Sequence, residues 1–255
     1  MRAYLHFAAM TVMWFLALAT AFTSARYFLV PPRWLLPNEI LALTRHHTWI
    51  LVHIAGGIVA ITVGLFQFVG RLHDAHPGLH RAMGYACLSA VFLAGSAALG
   101  LSSDTPAFAA DGLTDLTKID LSFLGLSPSF LGYSASSKFS PSQFFLVKAG
   151  FTALAMVWLL TGALAFARAR QRRFDEHRAW MMRNYSLTFA AATVRLTGVP
   201  FLVLTRDPVV AITCTFWSWI LNLVIVEWLI RRRSHKGFLA KTAPGRFAEG
   251  PRHPG

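Results

Sequence analysis

The chain has 255 residues, of which 55% are hydrophobic and 14% are charged, and its formal net charge is +13. This composition is typical of a polytopic membrane protein and leaves little chain for a separate soluble domain. The excess of basic residues does not indicate nucleic-acid binding, because these residues gather between apolar segments as membrane topology requires.

Six apolar segments are long enough to cross a bilayer, since a transmembrane helix needs about 20 mostly apolar residues. They cover residues 6–29, 48–69, 80–101, 143–167, 180–204 and 208–230. The sequence therefore predicts an all-α fold in which residues 1–236 form one bundle of six transmembrane helices. Both cysteines, Cys87 and Cys214, fall inside these segments, which argues against a disulfide framework.

Basic residues are concentrated in two parts of the chain. They are Arg168, Arg170, Arg172, Arg173 and Arg178 after the fourth segment, and Arg231, Arg232, Arg233 and Lys236 after the sixth. Because positively charged loops stay in the cytoplasm, both termini are predicted to be cytoplasmic. The connection 102–142 would then form an outer loop, and the basic residues 237–255 a disordered cytoplasmic tail.

A near-repeat links the second and third segments with the fourth and fifth. His80-Arg81-Ala82 opens the third segment, and His177-Arg178-Ala179 opens the fifth. Each follows a helix that ends in arginine. Helices 2–3 and 4–5 are therefore a candidate parallel repeat, of a kind common in membrane bundles.

The two repeated histidines indicate a functional site, because ionisable residues at the edge of a bilayer are costly. The predicted topology places His80 and His177 at similar depth on the third and fifth helices. Two imidazoles so placed are what axial ligation of haem b requires, and both are predicted metal ligands. Arg81, Arg178 and Arg183 are predicted to pair with haem propionates. The alternative is that these basic residues anchor the helix ends to lipid headgroups.

Two further positions bear on haem binding. Gly84, one turn from His80, would leave room beside the porphyrin. His53 lies about 9 Å inside the outer end of the second helix and is a candidate ligand of a second haem, or a proton relay. The matching position on the fourth helix holds Lys148 instead of histidine. The alternative for His53 is an interhelical hydrogen bond.

The fifth segment has a polar face that should turn into the bundle or toward a wet cavity. Residues spaced by three and four share a helix face. Here they are His177, Met181, Asn184, Thr188, Ala191 and Arg195. Together with Gln67 of the second helix, Asn184, Thr188 and Arg195 are candidates to line a cavity for a small anion, with the outer loop as a lid. The alternative for Arg195 is an internal salt bridge or the capping of backbone carbonyls.

At these residues the chain resembles an uncharacterised family of bacterial integral-membrane proteins. The shared pattern is an intramembrane histidine, Gly-x-x-Gln-Phe, Leu-His-Arg, and later His-Arg-x-Trp-Met-x-Arg-x-Tyr followed by Arg-Leu. In this chain the pattern is His53, Gly64 to Phe68, Leu79 to Arg81, His177 to Tyr185, and Arg195-Leu196. The resemblance covers about residues 47 to 205.

In helix count and histidine placement the chain is also similar to transmembrane di-haem b-type cytochromes of the ascorbate-reducing kind. That resemblance implies that His80 and His177 hold one haem, while Lys148 departs from the other ligand pair. The leading hypothesis is a haem-b electron-transfer protein or oxidoreductase of the bacterial cytoplasmic membrane, with a quinone or a small reductant as partner. The alternatives are a transporter or receptor for a small anion, and a non-catalytic component of a membrane complex.

Overall fold

The computed structural model of the protein describes residues 2–31, 37–69, 75–103, 141–205, 210, 213–214 and 217–242. These residues form seven helices and no strand, which confirms the predicted all-α fold. The helices are α1 (Arg2–Leu29), α2 (Pro37–Phe66), α3 (Pro77–Ser103), α4 (Pro141–Arg170), α5 (Phe174–Thr188), α6 (Ala190–Thr205) and α7 (Trp219–Thr242). Helices α2, α3 and α4 begin at proline, whose fixed φ and missing N–H suit the first turn of a helix.

Within the described residues, four helical stretches are long and apolar enough to cross a membrane. They are Ala8–Leu29, His47–Phe66, Pro77–Ser103 and Phe145–Arg170. These stretches coincide with the first four predicted segments, and the chain is a membrane protein with several apolar helices. The fifth and sixth segments are not confirmed as spans, because α5 and α6 have only 15 and 16 residues and α7 is charged in its second half.

Two predicted segments fall largely outside the described residues. Of the predicted outer loop at 102–142, residues 104–140 lie outside them. Helix α7 continues to Thr242, so the first residues of the predicted tail at 237–255 are helical. The rest of that tail, residues 243–255, lies outside the described part of the chain.

Small residues bring α2, α3 and α4 close together. A Cβ atom on Gly56 would lie 2.8 Å from the carbonyl oxygen of Ala90, and one on Gly95 would lie 2.7 Å from the Leu159 side chain. Gly56 thus lets α2 approach the backbone of α3, and Gly95 makes room on α3 for the Leu159 side chain of α4, as is common where helices pack within a membrane. The core between them contains the buried residues Ala60, Ala90, Val91, Ala94 and Trp158.

A tight turn joins α4 to α5. Arg172 has a φ of 57°, and its N–H donates to the carbonyl of Ala169, while the N–H of Arg173 donates to the carbonyl of Arg168. This is the Schellman pattern of helix termination. Arg168 and Arg173 both form ion pairs with Glu176 in the first turn of α5. The end of the bundle that contains this turn is called the arginine-rich end below.

Helices α5 and α6 are separated only by Phe189, where the helix is locally distorted. Helical hydrogen bonds run across this residue, from the Phe189 N–H to Tyr185 and from the Thr193 N–H to Phe189. Asn222 of α7 spans the distortion. Its amide donates to the carbonyl of Ser186 at 3.1 Å and lies 2.9 Å from the hydroxyl of Thr193. The fifth predicted segment is therefore one nearly continuous helical rod, fastened to α7 at its irregular point.

Helix α7 runs back toward the arginine-rich end. Just before it, the Trp217 indole N–H donates to the carbonyl of Leu146, near the start of α4, at 3.2 Å. Further along, Glu227 pairs with Arg183 of α5 at 2.7 Å. Because α5 packs on the second half of α4, these two contacts lie toward opposite ends of the bundle. Helix α7 is therefore antiparallel to the rod formed by α5 and α6.

Candidate functional site

His177 lies in the first turn of α5 and is half-buried. Its Nδ1 atom is 2.8 Å from the carbonyl oxygen of Ala165 on α4. A carbonyl can only accept, so the ring carries its proton on Nδ1, and Nε2 of the neutral imidazole keeps its lone pair. Metal-binding histidines are usually held in this way, with one ring nitrogen on a backbone carbonyl and the other on the metal.

His80 lies in the first turn of α3 and is also half-buried. Its depth relative to His177 can be measured along α4. The ring of Tyr85 on α3 packs against Phe166, with centroids 6.4 Å apart, and Phe166 is adjacent to Ala165, which accepts the His177 hydrogen bond. His80 is five residues before Tyr85, so it lies about 7.5 Å closer to the arginine-rich end than His177. The two histidines therefore share one end of the bundle, with an axial offset.

Gln67 follows α2 directly and lies against α3. A Cβ atom on Gly84 would be 3.6 Å from the side-chain oxygen of Gln67, an ordinary contact distance. The space that the sequence predicted beside Gly84 is therefore occupied by Gln67. Among the described residues, Nε2 of this amide is buried and has no hydrogen-bond partner. An acceptor placed next to this nitrogen would satisfy it.

The three arginines predicted to hold propionates have different surroundings. Arg81 and Arg178 are exposed at the arginine-rich end. Arg183 donates from Nε and Nη2 to one carboxylate oxygen of Glu227, at 2.9 and 2.7 Å, and its guanidinium lies 4.7 Å from the centre of the Trp180 ring. Arg183 thus already has an anionic partner on α7, whereas the other two face outward.

His53 is held near the opposite end of the bundle by the same kind of contact as His177. Its Nδ1 atom is 3.0 Å from the carbonyl oxygen of Ala94 on α3, and its ring centre is 6.3 Å from that of Phe151 on α4. Lys148 lies one turn before Phe151 and is half-buried. The interhelical hydrogen bond anticipated as the alternative is present, and it leaves Nε2 of His53 as the ring atom for any further contact.

Asn184 and Thr188 form a buried polar network between α5 and α4. The Asn184 amide donates to the carbonyl of Trp158 at 2.8 Å and to the hydroxyl of Thr161 at 3.0 Å. The Trp158 indole N–H donates to the hydroxyl of Thr188 at 2.9 Å. Asn184 is only 1% exposed. These hydrogen bonds join the two helices, and they occupy the groups that were predicted to line a cavity.

Arg195 lies on α6 and is exposed. Its guanidinium donates to the carbonyl of Ala191 at 2.7 Å and to the hydroxyl of Ser24 on α1 at 3.0 Å. The carbonyl-capping role anticipated as an alternative is therefore present. Gln67, Arg195 and the Asn184–Thr188 pair lie in three different surroundings.

In the part of the chain that the structure describes, no group of three or more His, Cys, Asp or Glu side chains could hold a metal ion. Axial haem ligation uses only two protein ligands, so a bis-histidine site does not need such a group.

A sequence profile described as "Predicted membrane protein (DUF2306)" matches two segments of the chain, 50–133 and 124–230. Together they extend over well more than half of the sequence. The chain belongs to this membrane protein family of unknown function. No curated protein and no solved structure gives a significant match. The matched region contains His53, His80 and His177, as well as the buried network of α5.

Two contacts that join these helices were not predicted from the sequence. The Tyr185 hydroxyl donates to the carbonyl of Ile61 at 3.0 Å, and its ring packs on Gly64 of α2. Glu227 pairs with Arg183, a contact that the sequence pattern does not indicate. The pattern of residues shows which helix face each side chain occupies, but it does not show which helix that face meets.

Proposed function

We propose that the protein is a haem-b electron-transfer protein of the bacterial cytoplasmic membrane, in which His80 and His177 would hold the haem iron. When bound, haem b supplies the one-electron chemistry of its iron, and the protein sets its potential and access. A membrane quinol or a small reductant would be the electron donor.

The observation that carries the proposal is the orientation of the His177 ring. Its Nδ1–H is committed to the carbonyl of Ala165, so the imidazole is fixed in the tautomer whose Nε2 can ligate iron. A histidine that only anchored a helix end to headgroups would need no such contact with a neighbouring helix.

The surroundings of His80 also fit haem b, provided that the first turn of α3 moves. Because His80 lies closer to the arginine-rich end than His177, the first turn of α3 would have to shift along the bundle toward the level of His177 for both rings to hold one haem. Residues 75–79 and Arg81 are exposed, so few packing contacts oppose this movement. The buried amide nitrogen of Gln67 would gain an acceptor if a propionate lay within hydrogen-bond distance of it. Arg81 and Arg178, which are exposed at this end, are the arginines that would pair with a propionate.

The anion-cavity alternative receives less support. Asn184 and Thr188 are used in packing α5 on α4, and Arg195 points to α1. No contact brings the four candidates to a common opening within the described residues.

We also propose the six-span arrangement with both termini in the cytoplasm. The rod formed by α5 and α6 follows α4 from the arginine-rich end, and α7 returns alongside it. A rod of 32 residues is about 48 Å long, which is more than the hydrocarbon thickness of about 30 Å. The buried network around Asn184 satisfies the polar groups that would otherwise make a crossing costly.

The test of haem binding is the visible spectrum of the protein purified from haem-replete cells. We expect a Soret band at a haem-to-protein ratio near unity, lost in His177→Ala and in His80→Ala. His76→Ala is the matched control, because His76 is exposed and only four residues from His80. This control should keep the band. A colourless wild-type protein, or a band that survives both ligand substitutions, contradicts the proposal.

A further inference from the structure

Helix α7 presents an exposed apolar stripe that ends at an arginine. Leu221, Val224, Ile225 and Trp228 are each between 50% and 60% exposed. Their spacing of three and four places them on one face of the helix. Arg232 follows on the same face, one turn after Trp228, and its guanidinium lies 3.7 Å from the centre of the Trp228 ring. The face therefore combines a length of apolar surface with a cation at one end.

The charges at this end of α7 are not balanced within the described residues. Glu227 is shared by Arg183, at 2.7 Å, and by Arg231, at 3.3 Å. Arg232 stacks on tryptophan instead of pairing with a carboxylate. One carboxylate thus pairs with two guanidiniums and a third guanidinium lies beside them, so the neighbourhood has an excess of positive charge. Beside a low-dielectric membrane interior, such an excess strongly favours an added anion.

The position of the charges relative to the stripe identifies the anion. Arg231 and Arg232 lie about one turn beyond Glu227, toward the arginine-rich end, and the apolar residues lie on the other side. Tryptophan and arginine in this order are the groups expected where hydrocarbon gives way to headgroups. Guanidinium groups bind phosphate oxygens with short, charge-assisted hydrogen bonds.

We propose that the end of α7 that lies at the arginine-rich end of the bundle binds an anionic phospholipid. The phosphodiester of the headgroup accepts hydrogen bonds from Arg231 and Arg232, and an acyl chain lies along Leu221, Val224, Ile225 and Trp228. Free phosphate would use the guanidiniums but not the stripe. A zwitterionic lipid would cover the stripe but would bring its own cation to a site that is already positive. The proposal does not depend on haem binding.

The stripe provides its own reporter, because Trp228 would contact the acyl chain. The purified full chain is mixed with phosphatidylglycerol or phosphatidylcholine whose acyl chains are brominated, since bromine quenches nearby tryptophan fluorescence. The difference between wild type and Trp228→Phe isolates the quenching of Trp228 from that of the other tryptophans. We expect half-maximal quenching of Trp228 at about tenfold lower phosphatidylglycerol than phosphatidylcholine, from attraction by two arginines near the membrane surface.

Two matched pairs of substitutions test where the preference arises. Arg231→Gln with Arg232→Gln should reduce the preference to about twofold or less. Arg170→Gln with Arg172→Gln removes the same charge at the same end, away from the stripe, and should leave the preference unchanged. Equal preference for the two lipids in wild type, or equal loss in both double variants, would overturn the proposal. Displacement of brominated phosphatidylglycerol by millimolar inorganic phosphate would instead identify a free-phosphate site and would also overturn it.

Discussion

Individual residues in this bundle show one recurrent solution to the problem of burying polar groups in a membrane. His53 and His177 each place Nδ1 on the carbonyl of a neighbouring helix, Tyr185 does the same with its hydroxyl, and Asn184 with its amide. Each contact satisfies a donor that lipid cannot satisfy. The same contact fixes how two helices are turned relative to each other.

The Tyr185 contact depends on the absence of a side chain at Gly64. A Cβ atom there would lie 2.7 Å from the tyrosine ring, which is held in place by its hydroxyl. Gly64→Ala should therefore lower the free energy of unfolding by about 1–3 kcal/mol, as overpacking does. Gly57→Ala, on the same helix with nothing within 4 Å of the added atom, is the control and should be neutral or slightly stabilising. Thermal unfolding in one detergent measures both, and equal unfolding midpoints would contradict this account.

The sequence was informative about which residues face inward and uninformative about their partners. Its periodicity placed Asn184, Thr188 and His177 on one face, and the structure has them buried or half-buried. It did not show that Asn184 would donate to the carbonyl of Trp158 and His177 to the carbonyl of Ala165. An apolar helix such as α4 offers many equivalent carbonyls. The partner is chosen by the rotation and sliding of whole helices, which depend on packing along their full length.

At the scale of helices, composition located the first four spans well because each is a long apolar run bounded by proline or by arginine. The distortion at Phe189 was not predicted. No proline or glycine lies between Tyr185 and Thr193 to mark the site. Instead, the amide of Asn222, more than 25 residues further along the chain, donates to the carbonyl of Ser186 beside the distortion. Such a break is a tertiary effect, so local propensity does not reveal it.

The turn between α4 and α5 contains a residue in a conformation that is unfavourable for its type. Arg172 has a φ of 57°, which costs a non-glycine residue about 1 kcal/mol. Arg172→Gly should therefore raise the free energy of unfolding by about 0.5–1 kcal/mol. Arg170→Gly removes the same charge within the last turn of α4 and should lower it by about 0.5–1 kcal/mol. Opposite shifts in the unfolding midpoint are expected; a loss of stability in both variants would show that the strain is not relieved by glycine.

At the scale of the whole molecule, the proposed six-span arrangement differs from a four-span one in two additional crossings after α4. Four spans and six spans both put the termini on the same side, so a terminal reporter cannot distinguish them. The connection between the fifth and sixth predicted segments does distinguish them, because only the six-span arrangement places it on the outer side.

The prediction can be tested with single cysteines in a Cys87→Ala, Cys214→Ala background. We expect Asp207→Cys to react with a membrane-impermeant maleimide added outside, and Arg172→Cys to react only after the membrane is opened. These outcomes follow from six crossings, with the α4–α5 turn inside. If Asp207→Cys and Arg172→Cys become accessible together from the same side, the chain crosses only four times.

The ion pair between Arg183 and Glu227 has a consequence for how the protein is made. In the six-span arrangement, α5 brings a guanidinium toward the hydrocarbon region, which costs roughly 2.5–3.5 kcal/mol for an arginine near the middle of a span. Its counterion belongs to α7 and is synthesised 44 residues later. In that arrangement, Arg183 has no counterion while α5 is at the translocon, until α7 has been synthesised. In the six-span arrangement, α5 and α7 would therefore enter the lipid as a pair.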